Sequence, residues 1–474
     1  MLPGRPRRLP ITWGGRLAAG DAHIASGSIP SGPPNPLSSP SQPVSPAQGT
    51  PAARGAPDVP AGGAVRWLAR SRLVLLAVCG PGLVVMLADT DAGSLITAAQ
   101  SGRRWGYAMI LPQIVLIPIL YVVQEMTVRL GVVTRTGHGA LIRQRFGQGW
   151  AMLSAGTLFV SAIGALITEF AAVAGVGELF GVSRWVTVPV ATAFLIGLTF
   201  TGSYRRVERI GIALGLAEAA LIPAMLMSHP SGHALAHGVT SIPFGNSSYL
   251  YLLAANVGAV IMPWMVFYQQ GAVIDKGLKP GNIRRERADT AVGAVVTQVV
   301  MIAVVITLAA TVRPGHGPGS LNTVGQISAA LQPFLGATGA KVLFGAGMLG
   351  ASMVAALVSS LAGAWGLSEI FGWKHTLNRR PGRKTAKFYL TYTLAHVAGA
   401  VLVLASVDLV SLAVDVEVMN ALLLPIVLGF LLVLEAKALP PGQRMRGWYK
   451  YTAWALCLVV IGFGLYMVPA TLGL

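Results

Sequence analysis

The chain has 474 residues, of which 54% are hydrophobic and only 11% charged. A soluble protein of this length carries roughly a quarter of its residues as Asp, Glu, Lys or Arg, so a water-soluble globular fold is excluded and much of the surface must face lipid. The formal net charge of +18 does not mark a nucleic-acid partner, because the Lys and Arg residues lie in short loops between apolar runs.

Residues 1 to about 70 are rich in Pro, Gly, Ser and Ala, as in PSGPPNPLSSPSQPVSPAQG. Such a stretch cannot bury enough apolar surface to offset the entropy of ordering it. It is expected to be a disordered cytoplasmic tail, and it lacks the continuous apolar core of a signal peptide. A membrane domain follows over 71–474. Its apolar runs match the length of about 20 helical residues that crosses a bilayer. About eleven such spans are predicted, near 73–98, 106–130, 151–179, 184–202, 207–228, 249–272, 289–312, 340–370, 387–404, 407–435 and 450–471. Cys79 and Cys457 lie far apart inside apolar runs, which argues against a disulfide framework or a zinc site.

One set of loops is strongly basic: Arg135, Arg143 and Arg145; Arg205, Arg206 and Arg209; Lys276 to Arg287; Lys374 to Lys387; and Lys437 to Lys450. The opposite loops carry little beyond Arg103, Arg104, Arg184 and Arg313. The positive-inside rule then predicts a cytoplasmic N-terminus and an external C-terminus.

Two spans are interrupted. The first reads GPGLVVMLADTDAGSLITAAQ, with Asp89, Thr90, Asp91, Gly93 and Ser94 in mid-span. The sixth reads LLAANVGAVIMPWMVFYQQ, with Gly258 and Pro263 in mid-span. Breaks five spans apart fit two five-helix repeats, about 73–228 and 249–435, with an extra helix at about 450–471. In transporters of that plan the unwound segments face each other near the midplane and coordinate cations. For one break alone, ordinary transmembrane Gly or Pro is the plainer explanation.

At these residues the chain resembles the Nramp family of divalent-metal transporters, from about residue 73 to the C-terminus. Gly80-Pro81-Gly82 resembles the family's opening GPG. Asp91-Ala92-Gly93-Ser94 stands at its Asp-Pro-Gly-Asn, and QEMTVRLGVVT, with Gln124, Glu125, Arg129 and Gly131, is close to its second-span run. Ala259 with Met262-Pro263 matches its A-x-x-M-P. Weaker likeness is seen in GSYRRVERIG and LFGAGMLGASMVAALVSSLAG. The resemblance implies an all-α LeuT-like 5+5 inverted repeat with broken helices 1 and 6. It also implies metal ligands at Asp91, Ser94, the Ala259 carbonyl and the Met262 thioether. Carboxylate and carbonyl oxygens suit hard cations, whereas thioether sulfur favours softer transition metals; packing would be the plainer role for Met262 taken alone, but beside Pro263 in the broken span opposite Asp91 the ligand role is favoured.

Departures from the family pattern are equally informative. Trp264 and Gln269 stand where the family has His, Ala172 replaces one of a pair of third-span acids and leaves Glu169, and the ninth span offers only His396. These groups belong to the family's proton route, so their loss argues against strong symport. Asp89 adds a carboxylate two residues before Asp91.

A carboxylate at the centre of a membrane helix costs roughly 2.5–3.5 kcal/mol. Asp89, Asp91, Glu169, Asp415 and Glu417 all fall within predicted spans, with little Lys or Arg to pair them, so bound cations or protons are the natural counter-charge. Asp89 is assigned to the metal site. Glu169, Glu417 and Asn420 are assigned to a proton route or to support of that site. His229, His233 and His237 recur every four residues in HPSGHALAH, a spacing that could bind a metal on a helix; solvent-exposed chance histidines explain them better.

The function expected is uptake of Mn²⁺ or Fe²⁺ across the cell membrane by alternating access, the ion being substrate and not cofactor. An Mg²⁺ transporter is the alternative within the same family. An organic solute carrier of the same fold is disfavoured by the acids at the break. A membrane enzyme or scaffold is disfavoured by the lack of a catalytic constellation.

Overall fold

A computed structural model describes residues 80–472, apart from 229, 231, 312–320 and 406–408. The expected N-terminal tail, Cys79, His229 and Arg313 lie outside the described residues. Among these residues every regular element is helical. We number the α-helices α1 (Pro81–Asp89), α2 (Ala92–Trp105), α3 (Ile110–Thr134), α4 (His138–Phe146), α5 (Gln148–Leu179), α6 (Arg184–Phe200), α7 (Tyr204–Gly215) and α8 (Leu221–Met227). There follow α9 (Gly232–Thr240), α10 (Ser247–Val260), α11 (Pro263–Asp275), α12 (Ile283–Ala310), α13 (Val324–Phe371), α14 (Ala386–Ala405), α15 (Leu409–Ala438) and α16 (Gly447–Leu472).

Nine stretches among the described residues are long and apolar enough to cross a bilayer, against about eleven expected. Two features account for the difference. The first span is split, α1 being nine residues long, and α2 runs through a 3₁₀ turn into α3 as one apolar stretch, Ala92–Thr134. The fourth, α6, is a shorter apolar helix of 17 residues, at the low end of the length that crosses a bilayer.

Both breaks have local causes. Asp91 is extended (φ −67°, ψ 177°) and caps α2, its Oδ1 accepting the Ser94 main-chain N–H at 2.7 Å, which satisfies one of the helix's orphan donors. At the second break Ile261 and Met262 are non-helical and Pro263 opens α11, where its fixed φ and missing N–H do no harm.

The apolar core divides at the same level. Val84, Val85 and Ala88 of α1 pack with Trp264, Met265 and Phe267 of α11 in one cluster. Leu95, Ile96 and Ala99 of α2 pack with Tyr249, Leu252 and Ala255 of α10 in another. Polar groups fill the gap between them. Around these paired halves, α5 lies along α13, α10 along α15, and α12 along α2 and α3. Outward faces are apolar, as at Val186 and Val190 on α6, Leu390 and Leu394 on α14, and Leu458 and Val459 on α16, as lipid contact requires.

At the end of the molecule that carries the basic loops, Glu125 is buried among cations. It accepts from Arg129 at 2.6 Å, from Arg287 at 2.6 Å and from the Tyr449 hydroxyl at 3.1 Å, and Arg129 also approaches Glu435 at 3.8 Å. This knot ties α3, α12, α15 and α16 together.

The helix α15 reaches the second break because residue 258 has no side chain: a Cβ there would collide with the Glu417 carbonyl. Gly258→Ala is therefore expected to cost about 1–3 kcal/mol through overpacking, read as a lower melting temperature of the detergent-purified protein. An unchanged melting temperature would show that the two helices are not held this closely.

Candidate metal-binding site

The polar groups between the two core clusters come from α1, α2, α5, the α10–α11 break and α15. Asp89, Asp91, Ser94, Ala259, Met262, Glu169, Glu417 and Asn420 are all buried, none more than 2% exposed.

Pro263 determines one donor. A helical N–H bonds to the carbonyl four residues back; proline has none, so the Ala259 carbonyl loses its helical partner. It is met instead by the Ser94 hydroxyl at 3.0 Å, and the same hydroxyl lies 2.9 Å from the Asp89 carbonyl. One hydroxyl proton can serve only one of these oxygens at a time, which leaves a lone pair free at the other. Ser94 thus bridges the two broken helices.

The carboxyl groups gather at the N-terminus of α2, the positive end of its dipole. Besides the Asp91 cap, Glu169 Oε2 accepts the Ala92 N–H at 3.2 Å and stands beside Asp91. The other oxygen of Asp91 and Oδ1 of Asp89 have no hydrogen-bond partner. Glu417 lies against both breaks. Its carbonyl packs on Gly258, and its Oε1, also without a partner, occupies the space a Cβ on residue 93 would need. Its Oε2 accepts from Asn420 Nδ2 at 3.0 Å, and Asn420 Oδ1 accepts from the Ser161 hydroxyl at 2.7 Å, so Asn420 orients Glu417 and ties α15 to α5.

Among the described residues none of these carboxyls is ion-paired with Lys, Arg or His. Nor do three His, Cys, Asp or Glu side chains close into a cage on their own. The donors available are mixed: carboxylate, hydroxyl, main-chain carbonyl and the Met262 thioether, whose side chain packs in the cluster shared by α1 and α11.

Other expected residues fall elsewhere. Asp415 is exposed and accepts from the Tyr251 hydroxyl at 2.7 Å, lining a 230 Å³ cavity with Gln100 and Arg104; it does not join the buried acids. His233 and His237 are exposed on α9, which is helical despite the Gly232 that opens it. Trp264 and Gln269 are fully buried, and the Gln269 amide has no partner. His396 donates from Nδ1 to the Tyr392 carbonyl at 3.1 Å and packs on Phe170, one residue from Glu169. In α4, outside the spans, His138 Nδ1 pairs with Gln270 Oε1 at 3.1 Å, and burial pulls this imidazole down to about 4, so it is neutral at physiological pH.

The sequence reading missed Glu218. It sits in a 3₁₀ turn, Leu216–Ala220, between α7 and α8, 1% exposed and facing Thr90 at the first break. Its signal was a single acid in the apolar run LGLAEAALIP.

The sequence profile of the natural resistance-associated macrophage protein-like (Nramp) proteins matches residues 82–470. The chain belongs to the Nramp family. The divalent metal cation transporter MntH of Verminephrobacter eiseniae is 28% identical over 315 residues, 62% of this chain and 69% of that protein. Among solved structures, a manganese transporter of Eremococcus coleocola superposes with a TM-score of 0.69 at 19% identity, over 87% of this chain and 89% of its own. MhsT in complex with L-phenylalanine superposes with a TM-score of 0.56 at 13% identity, over 82% and 98%. At such identities the likeness is one of fold, the all-α LeuT-like membrane architecture expected. Nramp membership makes the chain a multi-pass membrane transporter and not an enzyme, with a divalent metal cation as substrate and no cofactor.

Proposed function

We propose that this Nramp protein takes up divalent transition-metal ions, Mn²⁺ or Fe²⁺, by alternating access of two inverted repeats, with its N-terminus cytoplasmic, its C-terminus outside and little or no proton coupling. The observation that carries this reading is the set of unpaired buried carboxyls at the meeting point of two broken helices. A divalent ion is the counter-charge that such a set lacks. Asp91 supplies the carboxylate, Ala259 its proline-freed carbonyl, Met262 a soft donor, and Ser94 and Asp89 further oxygens. Glu417, oriented by Asn420, and Glu169 complete the negative field. The knot at Glu125 fits a closed cytoplasmic gate in a site sealed from solvent.

A second reading, Mg²⁺ transport, is favoured by Ser94 and Asp89, which enrich the site in oxygen. The Met262 sulfur opposes it, since a thioether does little for a hard cation.

Asp91→Ala is expected to abolish divalent-ion binding at the site between the two broken helices while the protein remains folded; calorimetric titration that returns the full wild-type isotherm would remove Asp91 from the site.

Met262→Ala is expected to lower Mn²⁺ and Cd²⁺ uptake more than Mg²⁺ uptake. Equal loss for all three in competition assays would reduce Met262 to a packing role and leave Mg²⁺ transport the stronger reading.

Coupling follows from what is missing. A proton route needs titratable groups in series with suitable pKa values, and Ala172, Trp264 and Gln269 leave Glu169 with few successors. The membrane potential alone contributes about 2.3 kcal/mol per charge per 100 mV. For a divalent ion that is roughly 4.6 kcal/mol, an accumulation on the order of a thousandfold. Internal pH in proteoliposomes held at a negative potential should therefore stay flat during metal influx. Acidification that tracks metal entry and vanishes in Glu169→Gln would overturn this and make Glu169 a proton carrier.

A further inference from the structure

Glu218 is left without a role by the site described above. It belongs to the span Tyr204–Met227, and its chain neighbours form a 3₁₀ turn between α7 and α8. Short 3₁₀ stretches inside a longer helix mark strain or function. The carboxyl is 1% exposed, and neither oxygen has a hydrogen-bond partner. The ordinary account of a buried Glu, a protonated acid bonded to a helix carbonyl, is not met here, since no main-chain carbonyl is hydrogen-bonded to either oxygen.

What the carboxyl faces is the first break. Thr90, the residue between α1 and α2, has φ −81° and ψ 45°, outside the helix. Its side chain is fully buried, its hydroxyl faces Glu218, and it has no partner elsewhere among the described residues. Asp89 lies next in the chain. One of its oxygens meets the Thr297 side chain on α12, and the other is unpartnered. α7 packs on α1 and α8 on α12, so the Glu218 turn is held against this point from outside the Asp91–Glu169–Glu417 group.

A hydroxyl and two carboxylates with spare lone pairs, beside a helix end with unsatisfied carbonyls, are hard oxygen donors. They suit Mg²⁺ or Mn²⁺, which keep part of their water shell, and offer nothing to a soft metal. We infer that Glu218, Thr90 and Asp89 form a second position for a hard divalent cation, adjacent to the Asp91 site and on the α7–α8 side of the broken helix. The proposal deepens the transport reading and rests on it: an ion leaving Asp91 along α1 would find its next oxygen ligands here, while Asp89 is within reach of both positions.

The test is the number of Mn²⁺ ions bound per full-length chain, from equilibrium dialysis of the purified protein with elemental analysis. Wild type is expected to bind two, Glu218→Gln one and Asp91→Ala one. Thr90→Val should lose the second ion at the Mn²⁺ concentration that fills it in wild type, a loss that does not depend on Glu218→Gln folding well. One ion per wild-type chain, or two ions retained in Glu218→Gln, would overturn the second position while leaving Asp91 in place. Two ions in Asp91→Ala with one in Glu218→Gln would instead sink the Asp91 assignment and keep this one.

Discussion

Five carboxyl groups, Asp89, Asp91, Glu169, Glu218 and Glu417, are buried around one helix break without a basic partner among the described residues. At roughly 2.5–3.5 kcal/mol each in a membrane, their ionised forms together would cost on the order of 10 kcal/mol or more. That is comparable with the whole folding free energy of a typical protein. The helices can hold them only because partial positive charge is arranged around them: the N-terminus of α2, the Ser94 and Ala92 amides, and the Asn420 amide. Such dipoles offset part of the cost and leave the rest to a mobile cation. In the proposed reading, that remainder is what would draw a divalent cation to the site.

The opposite treatment of charge is seen at Glu125. There one carboxylate is shared by two arginines and a tyrosine hydroxyl, a network of short, charge-assisted bonds. A bound cation has no place in it. It joins α3, α12, α15 and α16, at the end of the molecule that carries the basic loops and away from the acids at the first break. The molecule thus separates carboxyls that have no basic partner among the described residues from a carboxylate satisfied by the protein itself.

Much of this was legible in the chain. The paired breaks, Asp91 and Ser94 follow from helix-breaking residues inside spans and from the family motif. The freed carbonyl of Ala259 follows from the position of Pro263. Glu417 and Asp415 could not both face the site, since residues two apart on a helix point to different sides, and only the packing of α15 on Gly258 decides between them. Glu218 was hidden because one acid in an apolar run barely lowers its hydropathy, and a 3₁₀ turn has no marked sequence signal. The Glu125 knot joins residues more than 300 positions apart, which no local pattern encodes. The merging of α2 with α3 into one apolar stretch and the 17-residue length of α6 account for the difference between nine long apolar stretches and about eleven expected spans.

The division of the apolar core carries a mechanical consequence. Within each cluster, side chains interlock at the density of a crystal and resist sliding. Between the α1–α11 cluster and the α2–α10 cluster lie hydroxyls, carbonyls and carboxyls, whose bonds are few and exchangeable. α5, α13 and α15 contribute to both clusters, so a tilt of α1 with α11 against α2 would pivot on these continuous helices while trading polar contacts at the breaks, which water entering the gap can replace. In the transport reading proposed above, the ion would sit at that joint, among the same polar groups whose exchange would let the two halves part.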